Sequence, residues 1–452
     1  MNLFSQGLGV AAVLAVCAPT SLAQCELDQI NSATAFAPDG FGSQVMVSEQ
    51  RAAASCLFQG QVAIQVFQRF GMSWHAIDML TARVGTDFGE AMDMEGDTLV
   101  VGMASTTAGS GDGLYGAGDP NGPASSGEVD VYDLTVPGGL HVQTIVPSDA
   151  ELGAVFGHSV AVDGNTMVVG APGDDELSFN AGAAYVFEKI DGVWVEVAKL
   201  YSDNPSFAKR FGGEVDIDGD TIIVTPLPQP FFIAPASFGP QLFEQDQHED
   251  RIAHVFERRG ASWERVAKLR NRWENQLDGF GREVAVSGDT IMVAAMKKNP
   301  KRGRVLVYEN LRTGWTYTHS LQPTTIPADT TADVFGSDLD IEGDVAMIAS
   351  PHSTGANDGF AYVFKRRDGW HQVSRIAGSG AGPDGFGVDV AVAPEFAIVG
   401  AAQTIVNATF DGTAYLYGVG ADCSGNGVAD VCDLSSGSLS DIDGDMIPDD
   451  CD

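Results

Sequence analysis

Residues 156–175 read FGHSVAVDGNTMVVGAPGDD, and residues 182–200 read GAAYVFEKIDGVWVEVAKL. Four apolar runs stand out: Ser159 to Asp163, Thr166 to Ala171, Ala183 to Glu188 and Trp194 to Leu200. Each has the length of a strand, is rich in Val, Ala, Tyr and Phe, and is bounded by Gly, Asp, Asn or Pro. Gly164-Asn165 between the first two is a two-residue turn that tolerates positive φ and closes a hairpin. The stretch predicts a four-stranded antiparallel meander. Alone it cannot bury both faces, so it needs neighbours on each side.

The chain supplies them. Phe-Gly recurs at Phe41, Phe88, Phe156, Phe211, Phe280, Phe335 and Phe386, which makes seven copies. The tight turn returns as Gly96-Asp97, Gly219-Asp220, Gly288-Asp289 and Gly343-Asp344. The third strand returns as Val129-Asp130-Val131-Tyr132, Ala253-His254-Val255-Phe256, Val305-Leu306-Val307-Tyr308, Ala361-Tyr362-Val363-Phe364 and Ala414-Tyr415-Leu416-Tyr417. The fourth opens with Trp74, Trp194, Trp263, Trp315 or Trp370. Radial repetition of four-stranded sheets is how a propeller is built. Separate domains of about 50 residues would each be too small for a stable core, whereas a closed ring buries every sheet between two others. The predicted fold class is therefore all-β: a seven-bladed β-propeller of four-stranded antiparallel blades, with a short C-terminal tail. The recurring Phe and Trp residues are read as blade-to-blade packing, not as a ligand stack.

The Phe-Gly opening, with Gly170-Ala171-Pro172 closing the second strand, resembles the FG-GAP repeat of integrin α-subunit propellers and many secreted bacterial proteins. The resemblance spans about residues 24–420. It implies the fold and a role in extracellular binding, and it names no ligand. Calcium-binding blades of that family carry an extended D-x-[DN]-x-[DN]-G-x-x-D loop between the first two strands. Here Asp216-Ile217-Asp218-Gly219-Asp220 comes nearest and runs into a strand without the last Asp, so it is read as a hairpin turn.

The chain has 452 residues, with 61 acidic against 25 basic side chains and a net charge of −36. Residues 1–23 carry no charge, and the apolar run Leu8 to Ala18 is too short to span a bilayer. Ser21-Leu22-Ala23 offers small residues for cleavage. This reads as a secretory signal peptide, although it lacks Lys or Arg near its start. The protein is expected to be secreted or held at the cell surface, with no transmembrane segment. Five cysteines then remain, Cys25, Cys56, Cys423, Cys432 and Cys451. An exported chain favours disulfides, and an odd count leaves one cysteine over. The seventh copy ends near Gly420 without a fourth strand. A strand from Cys25 to Ile30 would complete it and remove two open edges. Cys25–Cys423 and Cys25–Cys56 compete as pairings.

In a meander, the second-to-third loops and the interblade links emerge at one end. The long segments are nearly all of these two kinds: 104–127, 226–250, 296–303, 351–359 and 402–411, and links 146–155, 201–210 and 322–334. That face is expected to bind. In the fourth blade, Phe231, Phe232, Phe238 and Phe243 sit on a proline-stiffened loop that would form a platform for protein or glycan. A loop that packs its own Phe residues is the competing reading. The chain's basic concentration is placed in the neighbouring fifth blade: Lys268, Arg270, Arg272, Arg282, Lys297, Lys298, Lys301, Arg302 and Arg304. Such a patch suits an anionic polysaccharide or the protein's own acidic tail; a solvated loop is again the alternative. Nucleic acid is disfavoured, because the remaining field repels phosphate.

The tail, residues 421–452, reads as a calcium module. Residues 422–433 and 441–452 each place oxygen side chains at positions 1, 3, 5, 9 and 12 of a twelve-residue loop, with a backbone carbonyl at 7. The first offers Asp422, Ser424, Asn426, Val428 (carbonyl), Asp430 and Asp433. The second offers Asp441, Asp443, Asp445, Ile447 (carbonyl), Asp449 and Asp452. Gly427 serves the turn in the first loop. Met446 replaces it in the second, where a left-handed residue costs about 1–2 kcal/mol, so weaker binding is expected. The tail resembles thrombospondin type 3 repeats and, less closely, dockerin loops, for whose flanking helices the spacing is expected to leave no room. A disordered acidic tail is the plain alternative.

No G-x-S-x-G, H-E-x-x-H or phosphate loop occurs, and the eight His residues neither recur nor pair at metal spacing. The reading is a non-enzymatic binding or adhesion protein for extracellular protein or glycan, with Ca²⁺ in its tail. A polysaccharide lyase or phosphodiesterase site on the loop face, and a purely structural surface or matrix component, are the alternatives.

Overall fold

The Gly164-Asn165 turn forms as its sequence requires. Gly164 takes φ +53°, and Val160–Asp163 pairs antiparallel with Thr166–Ala171. Ala183–Ile190 and Val193–Leu200 add the third and fourth strands in chain order. The computed structural model describes residues 25–31, 41–58, 61–81, 88–104, 126–136, 139–227, 252–271, 279–295, 303–324, 334–351, 359–378, 385–402, 412–420, 430–436 and 438. Within them lie seven such sheets of four strands each, so the protein is a seven-bladed β-propeller.

The innermost strands are Val45–Val47, Phe88–Glu95, Val160–Asp163, Phe211–Asp218, Val284–Ser287, Leu339–Glu342 and Phe386–Val392. Each touches the next, and the last touches the first, so the ring is closed. The core is annular. Among the described residues it falls into seven apolar clusters, one between each pair of adjacent blades. All seven Phe-Gly phenylalanines are buried, as are Trp74, Trp194 and Trp370, while Trp263 and Trp315 are half-buried. They are packing residues, as read from the repeat.

The close approach of blades depends on one glycine position. Gly182, just before the third strand of blade 3, has φ +79°, and a Cβ there would sit 2.2 Å from the Phe211 carbonyl oxygen of blade 4. Gly127, Gly303, Gly359 and Gly412 meet the opening Phe of the following blade in the same way. The repeat keeps glycine there because the next backbone occupies the side-chain space.

Blade 7 takes its fourth strand from the beginning of the chain. Glu26–Asn31 pairs antiparallel with Thr413–Gly418 and closes the ring. A disulfide locks this seam, but neither expected pairing is the one found: Cys25 bonds Cys432. The reason is a short helix, Asp430–Ser436, which carries buried Cys432 back onto the seam. The helix overlaps the end of the first twelve-residue loop of the tail. Cys56 is buried and outside any disulfide, with its Sγ 3.7 Å from Met79 Sδ. Cys423 and Cys451 lie outside the described residues.

The inner strands are edge strands, and edge N–H groups need partners. Carboxylates supply them across the blade boundaries. Asp93 of blade 2 accepts Val162 N–H of blade 3 at 2.7 Å, Asp216 of blade 4 accepts Val286 N–H of blade 5 at 2.6 Å, and Asp340 of blade 6 accepts Val392 N–H of blade 7 at 2.7 Å. Each also accepts the N–H of its own next residue. Asp338 and Asp389 continue the pattern to Val390 and Val45. The five carboxylates therefore act as blade-to-blade clamps.

Candidate functional site

Most of the sequence-predicted site residues lie outside the described residues: Phe231, Phe232, Phe238, Phe243, Lys297, Lys298, Lys301 and Arg302 on the loop face, and Asp422, Ser424, Asn426, Val428, Asp441, Asp443, Asp445, Ile447, Asp449 and Asp452 in the tail. Asp430 and Asp433 fall within the short helix. Arg304 opens the third strand of blade 5, half-buried, whereas Lys268 and Arg270, expected in blade 5, lie on the fourth strand of blade 4, because that strand runs on from Ser262 to Arg270. Asp216–Asp220 forms the hairpin turn expected of it, between Phe211–Asp218 and Thr221–Pro226.

What the structure brings together on the loop face is a site at the boundary of blades 3 and 4. One half of it is apolar. Phe179, from the second-to-third loop of blade 3, stacks on Phe207, from the link to blade 4, with ring centroids 5.3 Å apart and planes 26° from parallel. Both rings are about half exposed, at 56% and 50%, and Leu177 of the same loop and Leu152 of the link from blade 2 to blade 3 are exposed as well. The Ala208 N–H donates to the Phe179 carbonyl at 2.8 Å, tying loop to link. This support is built from unusual backbone: Val155, Asn180, Ala208 and Arg210 all take left-handed φ between +48° and +59°. For a β-branched residue such as Val155 that is a true outlier, and such conformations concentrate at functional sites.

The other half is a cleft of about 160 Å³ at the loop-face end of blade 4, with buried Phe211 in its wall. Among the described residues, three cations line it, Lys209, Lys268 and Arg270, and one carboxylate, Asp203. Lys268 and Asp203 form an ion pair. His254, only 4% exposed, stands edge-on to Phe211 at 5.3 Å. Burial, helped by the charges of Arg265 and Arg270, pushes its pKa down to about 3, so the ring is neutral.

The corresponding place in blade 3 is filled differently. Tyr185 stands where His254 does, edge-on to Phe156 at 5.3 Å, and pairs across the strands with Lys199 as His254 pairs with Lys268. Lys199 Nζ is held by Asp149, Asp174 and Glu176 at 2.5, 2.7 and 2.7 Å. The Tyr185 hydroxyl lies 2.8 Å from both Asp149 and Asp174. Burial works against the Asp149 carboxylate, but Lys199 and Tyr185 more than offset it and hold its pKa below the usual range. Blade 3 thus satisfies its lysine internally.

A third concentration of charge lies along the central channel. Burial, opposed by the two N–H bonds and reinforced by Asp340 and Glu95, pushes Asp93 up to about 7. Burial and the neighbouring Asp338 charge push Glu214 up to about 8, and burial takes Asp338 to about 6. Asp216, Glu283 and Asp389 are likewise held well above the carboxylate range by burial and by their acidic neighbours. No group of three or more His, Cys, Asp or Glu side chains among the described residues is arranged to hold a metal ion. No helix among the described residues is long and apolar enough to cross a membrane.

The FG-GAP repeat model matches residues 140–187, which hold the end of blade 2 and most of blade 3. No curated protein matches the sequence. Among solved structures, a protein from Lactobacillus plantarum is similar at 13% identity and a TM-score of 0.43, covering 83% of this chain and 98% of its own. The WD40 domain of Toxoplasma gondii coronin is similar at 9% identity and a TM-score of 0.46, covering 90% and 89%. A candidate 6-phosphogluconolactonase from Bacteroides uniformis is similar at 11% identity and a TM-score of 0.45, covering 77% and 88%. At these identities the likenesses concern chain architecture and carry no activity across. What the sequence match adds is narrow and specific: blade 3, with the end of blade 2, is similar to an FG-GAP repeat.

Proposed function

We propose that this chain is a secreted binding protein that takes an extracellular protein or polysaccharide on the loop face of its propeller without turning it over. The observation that carries the reading is the exposed, stacked Phe179–Phe207 pair beside a cleft that gathers positive charge. Exposed aromatic surface of this kind marks interaction sites, and aromatic anchors supply much of the energy of such contacts. The left-handed backbone that presents the pair supports the same reading.

The test is a Phe179→Ser/Phe207→Ser double variant screened against a panel of polysaccharides and extracellular-matrix proteins. Both rings are exposed, so folding stability is expected to stay within about 0.5 kcal/mol of the parent. Binding to whichever panel member the parent retains is expected to drop roughly tenfold or more, and no cleavage product is expected from it. A variant that binds as well as the parent would sink the proposal.

In the same reading the acidic tail holds calcium, through the residues at positions 1, 3, 5, 7, 9 and 12 of its two loops. The helix that begins at Asp430, near the end of the first loop, suits a cation loop flanked by helix. Calcium titration of the full chain by calorimetry is expected to show affinities of about 10⁻⁴–10⁻³ M. Asp422→Asn should remove the stronger site and Asp441→Asn the weaker. Calcium binding untouched by both changes would place the ion elsewhere.

A further inference from the structure

We propose that the blade-4 cleft is an anion subsite that takes a carboxylate or sulfate group carried by an acidic polysaccharide. The proposal rests on the reading of the loop face as the binding face, and adds the chemistry of what binds there.

Two blades of one molecule solve the same problem differently. In blade 3 the lysine of the fourth strand, Lys199, is surrounded by three carboxylates and covered by Tyr185. In blade 4 the equivalent Lys268 has Asp203, and it shares its cleft with two further cations, Lys209 and Arg270. Among the described residues, the cell that gathers three carboxylates around one lysine in blade 3 gathers three cations beside one carboxylate in blade 4. In a chain of net charge −36, that excess is local and distinct.

Two polar atoms point the same way. His254 Nδ1 and Ser202 Oγ belong to side chains lining the cleft, and both are buried without a hydrogen-bond partner. Buried polar atoms normally have partners, and one without is costly to keep. The neutral imidazole and the hydroxyl each have one hydrogen to donate, and an oxyanion accepts several such bonds alongside those from Lys and Arg. His254 stands where blades 3, 6 and 7 carry Tyr185, Tyr362 and Tyr415, which pack against Phe156, Phe335 and Phe386, and the imidazole in that place is what creates this chemistry.

The carrier is assigned from the surroundings. Ser202, Asp203, Asn204 and Lys209 of the cleft lie on the link that also carries Phe207, so the anion subsite and the stacked aromatic pair share one short segment. A flat, exposed ring pair fits the apolar face of a sugar ring, and a uronate carboxylate or a sulfate ester projects from that ring by only a bond or two. An acidic polypeptide offers the charge without the ring.

The experiment uses the full chain and calorimetry with polygalacturonate, dextran sulfate, neutral dextran and poly-glutamate as probes. Polygalacturonate or dextran sulfate is expected to bind, and which of them binds tells carboxylate from sulfate. Neutral dextran is expected to bind roughly tenfold more weakly or not at all. Lys268→Ala/Arg270→Ala is expected to weaken binding by roughly tenfold or more. His254→Tyr introduces the residue of blades 3, 6 and 7, so it should fold with an unchanged or raised melting temperature and still lose the anion. If both of these variants bind as the parent does while Phe179→Ser/Phe207→Ser does not, the loop face stands and the anion subsite falls. If none of the three loses binding, both readings fall. If poly-glutamate binds and neither acidic polysaccharide does, the assignment to a glycan is overturned.

Discussion

Reduction of the Cys25–Cys432 bond is expected to destabilise the whole ring by about 2–5 kcal/mol. The bond closes a loop with a sequence separation of 407 residues, and cross-links across long loops restrict the unfolded chain most. It also sits at the one blade assembled from distant segments of the chain. There, Glu26–Asn31 has no covalent neighbour in its sheet and is held by its pairing with Thr413–Gly418. If this strand leaves, blade 7 loses its fourth strand, and the cluster between blades 7 and 1 loses Cys25 and Ile30 from its core. Urea unfolding with and without reductant measures the effect. Cys25→Ser, Cys432→Ser and the double variant should all cost the same, because each removes the same bond. A midpoint indifferent to reductant would show that strand pairing alone closes the ring.

The second large effect is an inverted dependence on pH. The carboxyls along the channel have folded-state pKa values raised above those of an unfolded chain, about 6 for Asp338, 7 for Asp93 and 8 for Glu214. A raised carboxyl binds its proton more tightly when folded. Its contribution to stability is therefore fully present below the unfolded value near pH 4 and is lost as pH rises through the folded value. Stability is expected to fall between about pH 5 and pH 8, the reverse of the usual rise with pH for ion-paired carboxylates. Glu214 and Glu283 provide the cleanest test, because they are not among the blade-to-blade clamps. Glu214→Gln/Glu283→Gln is expected to stabilise the protein at pH 8 by on the order of 2 kcal/mol, and hardly at all at pH 5. Unfolding midpoints at the two pH values decide it: a parent that is more stable at pH 8, or a variant with equal effects at both, contradicts the account.

The repeat made the fold readable because three signals recur together along the chain: the Phe-Gly opening, the two-residue turn and the Ala-Tyr-Val-Phe type of third strand. Even the closing strand could be expected, since a meander that stops at Tyr417 lacks its fourth member. The disulfide partner could not. Cys423 and Cys432 are nine positions apart in the same tail, and only the helix at Asp430–Ser436 decides which one returns to Cys25. Asp93, Asp216 and Asp340 alternate along their strands with apolar neighbours, and only the closed ring turns their side inward. Their column in the repeat alternates with small or apolar residues, as Met46, Asp93, Ala161, Asp216, Ala285, Asp340 and Ala391, and that alternation was the available clue. For the cleft the clue was His254 in a column that holds Tyr185, Tyr362 and Tyr415 in three other blades and Gln65, Asp130 and Leu306 in the rest. Phe179 and Phe207 gave none, being single aromatics in separate loops that meet only when blade 4 packs on blade 3.

The seam has a mechanical consequence. A pull entering the chain before residue 25 and leaving after residue 432 passes through one sulfur–sulfur bond. All seven blades hang outside the line of force, so the oxidised protein behaves under tension as a short inextensible link. Once the bond is reduced, the load falls on Glu26 and its partner Tyr417, at the end of the strand pair nearest both points of pull. Antiparallel strands loaded from the same end unzip by single hydrogen-bonded pairs, ending at Asn31 and Thr413. The redox state of a single bond would then separate a rigid tether from one that peels open under load.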